Sequence, residues 1–128
     1  MSVALQNSYQ RYKQASVETA PPERLLIMLY EGAIKFSFQT QKALEEKKYE
    51  EANRNNLRVQ DILVELNQTL DHSYGEIPLR LSRLYDFYHR QMILANMKKD
   101  PELVQPVLTF LQNFRTMWEE AALLSKKG

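Results

Sequence analysis

The run Leu25-Leu26-Ile27-Met28-Leu29-Tyr30 is apolar without interruption, and read as a helix it continues along two adjacent stripes, Leu25, Leu29, Ala33, Phe36 and Ile27, Tyr30, Ile34, Phe38. Residues three and four apart share a helix face. Two such stripes cover more surface than an amphipathic helix turns toward one core, so one faces a core and the other needs a cover. The end of the chain repeats the arrangement. Val104, Val107, Leu111, Phe114, Trp118 and Ala121 run at alternating spacings of three and four, beside Leu103, Phe110, Met117 and Leu124 at intervals of seven. Either both helices are central in a bundle and buried on most sides, or their second stripes form a groove for another helix.

Working outward, the three glycines and five prolines mark where helices begin and end. Residues from about 3 to 16 read as a short helix or mobile arm, with Tyr9 and Tyr12 one turn apart. Pro21 and Pro22 open a long helix reaching about Lys47, because proline in the first turn removes no intrahelical donor. A second helix, about Tyr49 to Asp71, turns Ala52, Val59, Leu63, Leu66 and Leu70 inward. His72-Ser73-Tyr74-Gly75 reads as a turn. A third helix, about Glu76 to Lys98, has Pro78 in its first turn and Ile77, Leu81, Leu84, Tyr88 and Ala95 inward. Asp100 caps a fourth helix with Pro101 at its first position; Pro106 then falls a turn inside and predicts a kink. Gly32 suggests a close helix crossing. Long helices joined by very short turns favour antiparallel neighbours. The expected fold is all-α, an antiparallel up-down four-helix bundle with a short N-terminal helical arm. Residues 1–18 form the arm or lid and 20–127 the bundle, in one domain.

A chain of 128 residues suffices for one core without staples. It has no cysteine, which fits a reducing cytosol. The opening Met1-Ser2-Val3-Ala4-Leu5-Gln6-Asn7 lacks a basic region followed by an apolar core, and no run approaches the roughly 20 apolar residues of a membrane helix. The expected location is cytoplasmic, with no membrane insertion. Lysine and arginine number 17 against 16 acidic residues, a net charge of +1 with interspersed signs. Arg54 with Arg58, and Arg80 with Arg83, are small basic spots rather than the continuous stripe that nucleic acid asks for.

A helical bundle can carry a carboxylate-bridged di-iron site built on two Glu-x-x-His motifs. Asp86-Phe87-Tyr88-His89 and Thr69-Leu70-Asp71-His72 are the nearest matches, and they fall short of the ligand count. There is no phosphate loop, no Gly-x-Ser-x-Gly elbow and no cysteine nucleophile. The sequence points away from an enzyme and asks for no cofactor or metal. Binding remains. Trp118, Phe114 and Leu84 are claimed by the core, but the further aromatic and methionine residues exceed what a leucine core needs. Methionine adapts to a partner's shape and aromatic rings supply area at little entropic cost, so the surplus fits helix-in-groove recognition. From periodicity alone, Ile27, Tyr30, Ile34, Phe38, Leu103, Phe110 and Met117 are the candidate groove residues. The rival arrangement pairs the second stripes of two copies in a homodimer.

Tyr9 and Tyr12 lead to Val17-Glu18-Thr19-Ala20-Pro21-Pro22, followed by Leu25 and Met28-Leu29-Tyr30-Glu31-Gly32-Ala33-Ile34. Further on come Gln60-Asp61-Ile62-Leu63 with Glu65-Leu66, Gly75-Glu76-Ile77, Leu84-Tyr85-Asp86-Phe87, Ala95-Asn96 with Asp100, and Leu111, Arg115 and Trp118. In order and spacing these pieces resemble the flagellar secretion chaperone FliS family over nearly the whole chain. The resemblance implies a cytoplasmic chaperone that binds the disordered C-terminal region of flagellin, prevents early polymerisation and helps deliver the subunit to the type III export gate. It also implies that Tyr9 and Tyr12 contact lid and client. Pro21 stands where the family commonly has serine, leaving Thr19 to cap the first long helix at a difference of about 1 kcal/mol.

Overall fold

The structure, a computed structural model, describes residues 22–127, with side chains for 23–124. The expected arm, with Tyr9, Tyr12 and the Thr19 cap, lies outside the described residues. Four helices follow one another: α1 (Pro22–Glu45), α2 (Tyr49–Gln68), α3 (Glu76–Lys98) and α4 (Gln105–Lys127). Two single 3-10 turns, His72–Tyr74 and Pro101–Leu103, sit before α3 and α4. Among the described residues there is no strand.

Local chemistry sets these boundaries. At the end of α1, Lys47 adopts a left-handed conformation (φ 60°), and the amides of Lys47 and Lys48 return to the carbonyls of Leu44 and Ala43 at 3.1 and 2.8 Å. That pair of bonds closes the last turn as a glycine usually does. Lys99 repeats the device after α3 with φ 56°. α2 stops at Gln68, about a turn before the expected Asp71. There the Thr69 hydroxyl donates to the Leu66 carbonyl (2.7 Å), and the Asp71 carboxylate accepts from the Ser73 amide (3.0 Å) to begin the 3-10 turn. Gly75, at φ 87° and ψ −130°, then redirects the chain into α3.

The expected kink at Pro106 is corrected. Asp100 caps the Pro101–Leu103 turn by accepting from the Glu102 amide (2.9 Å), and α4 begins afresh at Gln105. Pro106 therefore lies in a first turn, where its missing N–H costs nothing.

α1 packs along both α2 and α4, and α2 along α3, whereas the backbones of α3 and α4 approach each other little. α1 is thus the central helix. Leu29, Ala33, Ile27, Tyr30 and Ile34 are all buried, so most of both α1 stripes lie inside the bundle. On α3 the buried row is Leu81, Tyr85, Met92 and Ala95. Ile77, expected inward, is 76% exposed: it shares the helix face of Leu81 and Ala95 but lies in the first turn of α3, where Pro78 is the buried residue. Leu70, Leu84, Tyr88, Phe114 and Trp118 are partly buried, packed against the core from its edge.

Two polar features lock the register. The Tyr30 and Tyr85 hydroxyls hydrogen-bond to each other at 2.6 Å across the bundle, and both residues are fully buried. Burial pushes both phenols above their ordinary titration range. The Trp118 indole N–H lies close enough to the Tyr30 oxygen to favour its ionised form, yet falls short of a full hydrogen bond. Between α2 and α3, Asn56 donates to the Met92 carbonyl (2.9 Å), Asn67 to Asp86 (2.9 Å) and Asn96 to Asn53 (2.9 Å). Directional amide bonds at three levels of one seam fix its register, since a slip of α3 would leave them unmade.

Gly32 faces α2, but a methyl group there would meet Ile62 Cδ1 at 3.5 Å, ordinary contact. The crossing does not require glycine, so Gly32→Ala is expected to raise stability by about 0.5–1 kcal/mol, read from the urea midpoint. Tyr30→Phe and Tyr85→Phe each strand one buried hydroxyl and are expected to cost about 1–3 kcal/mol. The double variant should cost clearly less than the sum, and strict additivity in a denaturation cycle would show that the two hydroxyls are not coupled.

Candidate functional site

The wide separation of α3 and α4 leaves a groove along their seam. Leu84 and Tyr88 of α3 form one wall, and Pro106, Thr109, Phe110, Asn113 and Phe114 of α4 the other, with Glu102 and Gln105 at one end. Its volume is about 660 Å³, within the roughly 300–1,000 Å³ of ligand clefts.

Aromatic rings hold the two helices apart. The Tyr88 and Phe110 rings stack at 4.3 Å between centroids with planes 20° apart. Phe110 continues to Phe114 at 4.6 Å, and Phe87 meets Tyr88 edge-on at 5.1 Å. Tyr85 sets its ring edgewise to Phe110 at 6.1 Å, joining the stack to the Tyr30–Tyr85 hydrogen bond. Large side chains thus do the work of close helix contact, and the space above them stays open. Glu102 is the one charged residue among those that line the groove. Its polar rim is internally bonded: Gln105 donates to Thr109 (3.3 Å) and accepts from Gln41 (3.0 Å). Such a surface suits apolar side chains rather than ions.

The apolar surface continues past the groove. Phe87 is 51% exposed and Met117 45%, and Leu124 is exposed further along α4. Phe110, Met117 and Leu124, spaced by sevens, share one face of α4, and Phe110 on that face meets Tyr88 of α3.

The sequence candidates separate accordingly. Ile27, Tyr30 and Ile34 are buried, which corrects their assignment to a groove: they belong to the bundle interior because α1 has neighbours on two sides. Phe38 is half-exposed on the outer face of α1, beside Gln41, Lys42 and Glu45, away from the α3–α4 seam. Phe110 is nearly buried and forms part of the groove wall. Leu103 is partly buried against the core, and Met117 is open. Tyr9 and Tyr12 fall outside the described residues. The sequence reading did not name Leu84, Tyr88, Pro106 or Phe114 as groove residues. The available signal was on α4, where Pro106, Thr109 and Asn113 alternate with Phe110 and Phe114, a face too mixed for a core and too apolar for open solvent.

Among the described residues, no group of three or more His, Cys, Asp or Glu side chains is gathered in a way that could hold a metal ion. No helix among them is long and apolar enough to cross a membrane.

A family model described as flagellar protein FliS matches residues 5–125. The flagellar secretion chaperone FliS of Bacillus subtilis (strain 168) is 35% identical over 125 residues, covering 98% of this chain and 93% of that protein. The flagellar secretion chaperone FliS of Vibrio cholerae is 28% identical over 121 residues (91% and 89%), and that of Salmonella typhimurium 30% identical over 115 residues (85% and 85%).

The groove walls are partly exposed, so truncating them should cost less than truncating the interior. Leu84→Ala is expected to destabilise by about 1–2 kcal/mol, against about 2–5 kcal/mol for the fully buried Leu63→Ala. Equal losses in urea denaturation would mean that the seam is closed in solution.

Proposed function

We propose, since the chain belongs to the FliS family of flagellar secretion chaperones, that it binds the disordered C-terminal segment of flagellin, prevents premature polymerisation and delivers the subunit to the export gate of the flagellar type III secretion apparatus. The observation that carries this reading is the open, charge-poor, ring-lined groove between α3 and α4, continued by the exposed stripe on α4. The binding mode is an amphipathic client segment seated in the groove, its apolar positions spaced along one helix face.

The mechanism is masking. Flagellin's terminal segments are amphipathic and associate with neighbouring subunits, so a partner that covers their apolar positions removes the polymerisation surface. A disordered client must order as it binds, and that entropy offsets much of the contact energy. The complex is consequently held firmly enough to mask and loosely enough to be undone at the gate. The chaperone acts in the cytosol, where flagellin is made. Tyr9 and Tyr12 supply the lid that the client displaces, since tyrosine offers an apolar ring with a polar edge.

Calorimetric titration with the C-terminal segment of flagellin from the same organism tests the reading. Saturable one-to-one binding with a large negative heat-capacity change is expected, and no heat at tens of micromolar would refute it. Asn113→Trp, at an exposed position of the groove wall, should fill the groove. It is expected to weaken binding by about tenfold while leaving the melting temperature nearly unchanged. Tyr9→Ala with Tyr12→Ala should change client affinity in a folded bundle, and an unchanged affinity would remove the lid.

A further inference from the structure

On the opposite side of the bundle, α1 and α2 border a second groove of about 510 Å³ with contrary chemistry. Lys42 of α1, Lys48 at the N-cap of α2, and Arg54 and Arg58 of α2 line it, together with Glu46 and Glu51. Lys48 is held by Glu46 at 3.0 Å. Lys42 and Arg54 form no ion pair among the described residues, and the Arg58 guanidinium lies over the Phe36 ring at 5.0 Å. Arg54 and Arg58 stand one helical turn apart, the spacing at which cations on one face are neighbours and repel each other. Lys42, Arg54 and Arg58 thus line the groove outside any ion pair among the described residues, beside Glu51, whose carboxylate acts on Lys48 through space without contact.

A second observation concerns the lining of the same groove. Asn55 is 6% exposed, and its Nδ2 donates to the Glu51 carbonyl (2.9 Å), but its Oδ1 is buried without a hydrogen-bond partner. A buried acceptor left unmade is costly. A ligand that brings a donor to this point while offering carboxylates to Arg54, Arg58 and Lys42 would relieve both defects.

We infer that the α1–α2 groove docks an acidic helical segment of a partner protein, one with carboxylates a turn apart and a polar N–H group between them. The mixture of charge in the groove selects this occupant. Glu46 and Glu51 would repel a uniform polyanion such as a phosphate chain, whereas discrete carboxylates can be registered against the arginines, which bind them in two-pronged geometry. The run from Lys48 to Arg58 spans roughly 15 Å along α2, enough for about three turns of a docked helix. Because α1–α2 and α3–α4 are opposite sides of the bundle, the partner and an occupant of the aromatic groove bind together. The inference does not rest on the flagellin reading.

The test uses the full chain, isotopically labelled, and a short fluorescein-labelled helical peptide of alanine, glutamine and glutamate, with glutamates one turn apart and a glutamine side-chain amide between them. Saturable anisotropy is expected, with movement of the Asn55 side-chain amide resonances. Lys42→Glu with Arg54→Glu, both exposed positions, should weaken binding by about tenfold or more, with thermal melting reporting that the bundle is intact. Arg54→Ala serves as the milder second variant, expected to weaken binding severalfold. Unmoved Asn55 resonances at saturating peptide, or equal affinity in the charge-reversed protein, would overturn the inference. Displacement of the peptide by inorganic polyphosphate at lower concentration would also overturn it in favour of an anion site. Competition by the flagellin segment would overturn the separateness of the two grooves, a result distinct from failure of that segment to bind at all.

Discussion

Two phenolic oxygens 2.6 Å apart at the centre of the bundle constrain everything around them. Neither has access to water, so each depends on the other, and the cost of separating them is that of stranding two buried hydroxyls. The bond joins α1 to α3, which are diagonal rather than adjacent helices, and so fixes a distance that neighbour packing alone would leave adjustable. From Tyr85 the constraint passes edge-to-face into Phe110, and from Phe110 by stacking into Tyr88. Once α1 and α3 are registered, the rings set how near α4 can come. The open seam follows from the polar bond at the centre.

That bond could not be read from the sequence, although its two residues stand in plain apolar stripes. Periodicity assigns a residue to a face of its own helix and says nothing of which helix lies opposite, here 55 positions away. The four helices themselves were legible, although Lys47 and Lys99 close two helix ends in the left-handed conformation without a glycine to announce it. Apolar periodicity marks their bodies, and Pro22, Gly75 and the Asp100-Pro101 turn mark three of their approaches by mechanisms that act within one turn. Pro106 misled for the same reason: a proline's effect depends on where the helix starts, and one intervening 3-10 turn moved that start to Gln105. The groove was half legible. On α4 the sevens stripe through Phe110 and Met117 lies on the face that turns toward α3. On α1 the equally convincing stripe through Ile27, Tyr30 and Ile34 is buried, since surplus apolar surface on a central helix is consumed by a second neighbour. Position in the bundle, a property of the whole chain, decides between core and groove.

The two grooves divide the surface by chemistry. Between α3 and α4 the walls are rings with a single charge at one end. Between α1 and α2 lysines and arginines surround a buried amide. Apolar contact is non-directional and scales with area, which suits a client whose exact pose varies along its length. Charged contact is weak when solvated but selective in register, which suits a partner that must be told apart from others. A bundle with both presents one surface suited to apolar contact and another suited to charged contact.

α4 is unequally packed. It has one closely packed neighbour, α1, and meets α3 mainly through aromatic side chains. An occupant entering the seam therefore meets Phe114, Tyr88 and Leu84, all partly exposed at the edge of the core, before it meets backbone. Rotating such side chains breaks no backbone hydrogen bond, whereas parting two closely packed helices would expose a buried interface. The same spacing that leaves the groove open makes it adjustable, and the Tyr30–Tyr85 bond keeps that adjustment from reaching the core.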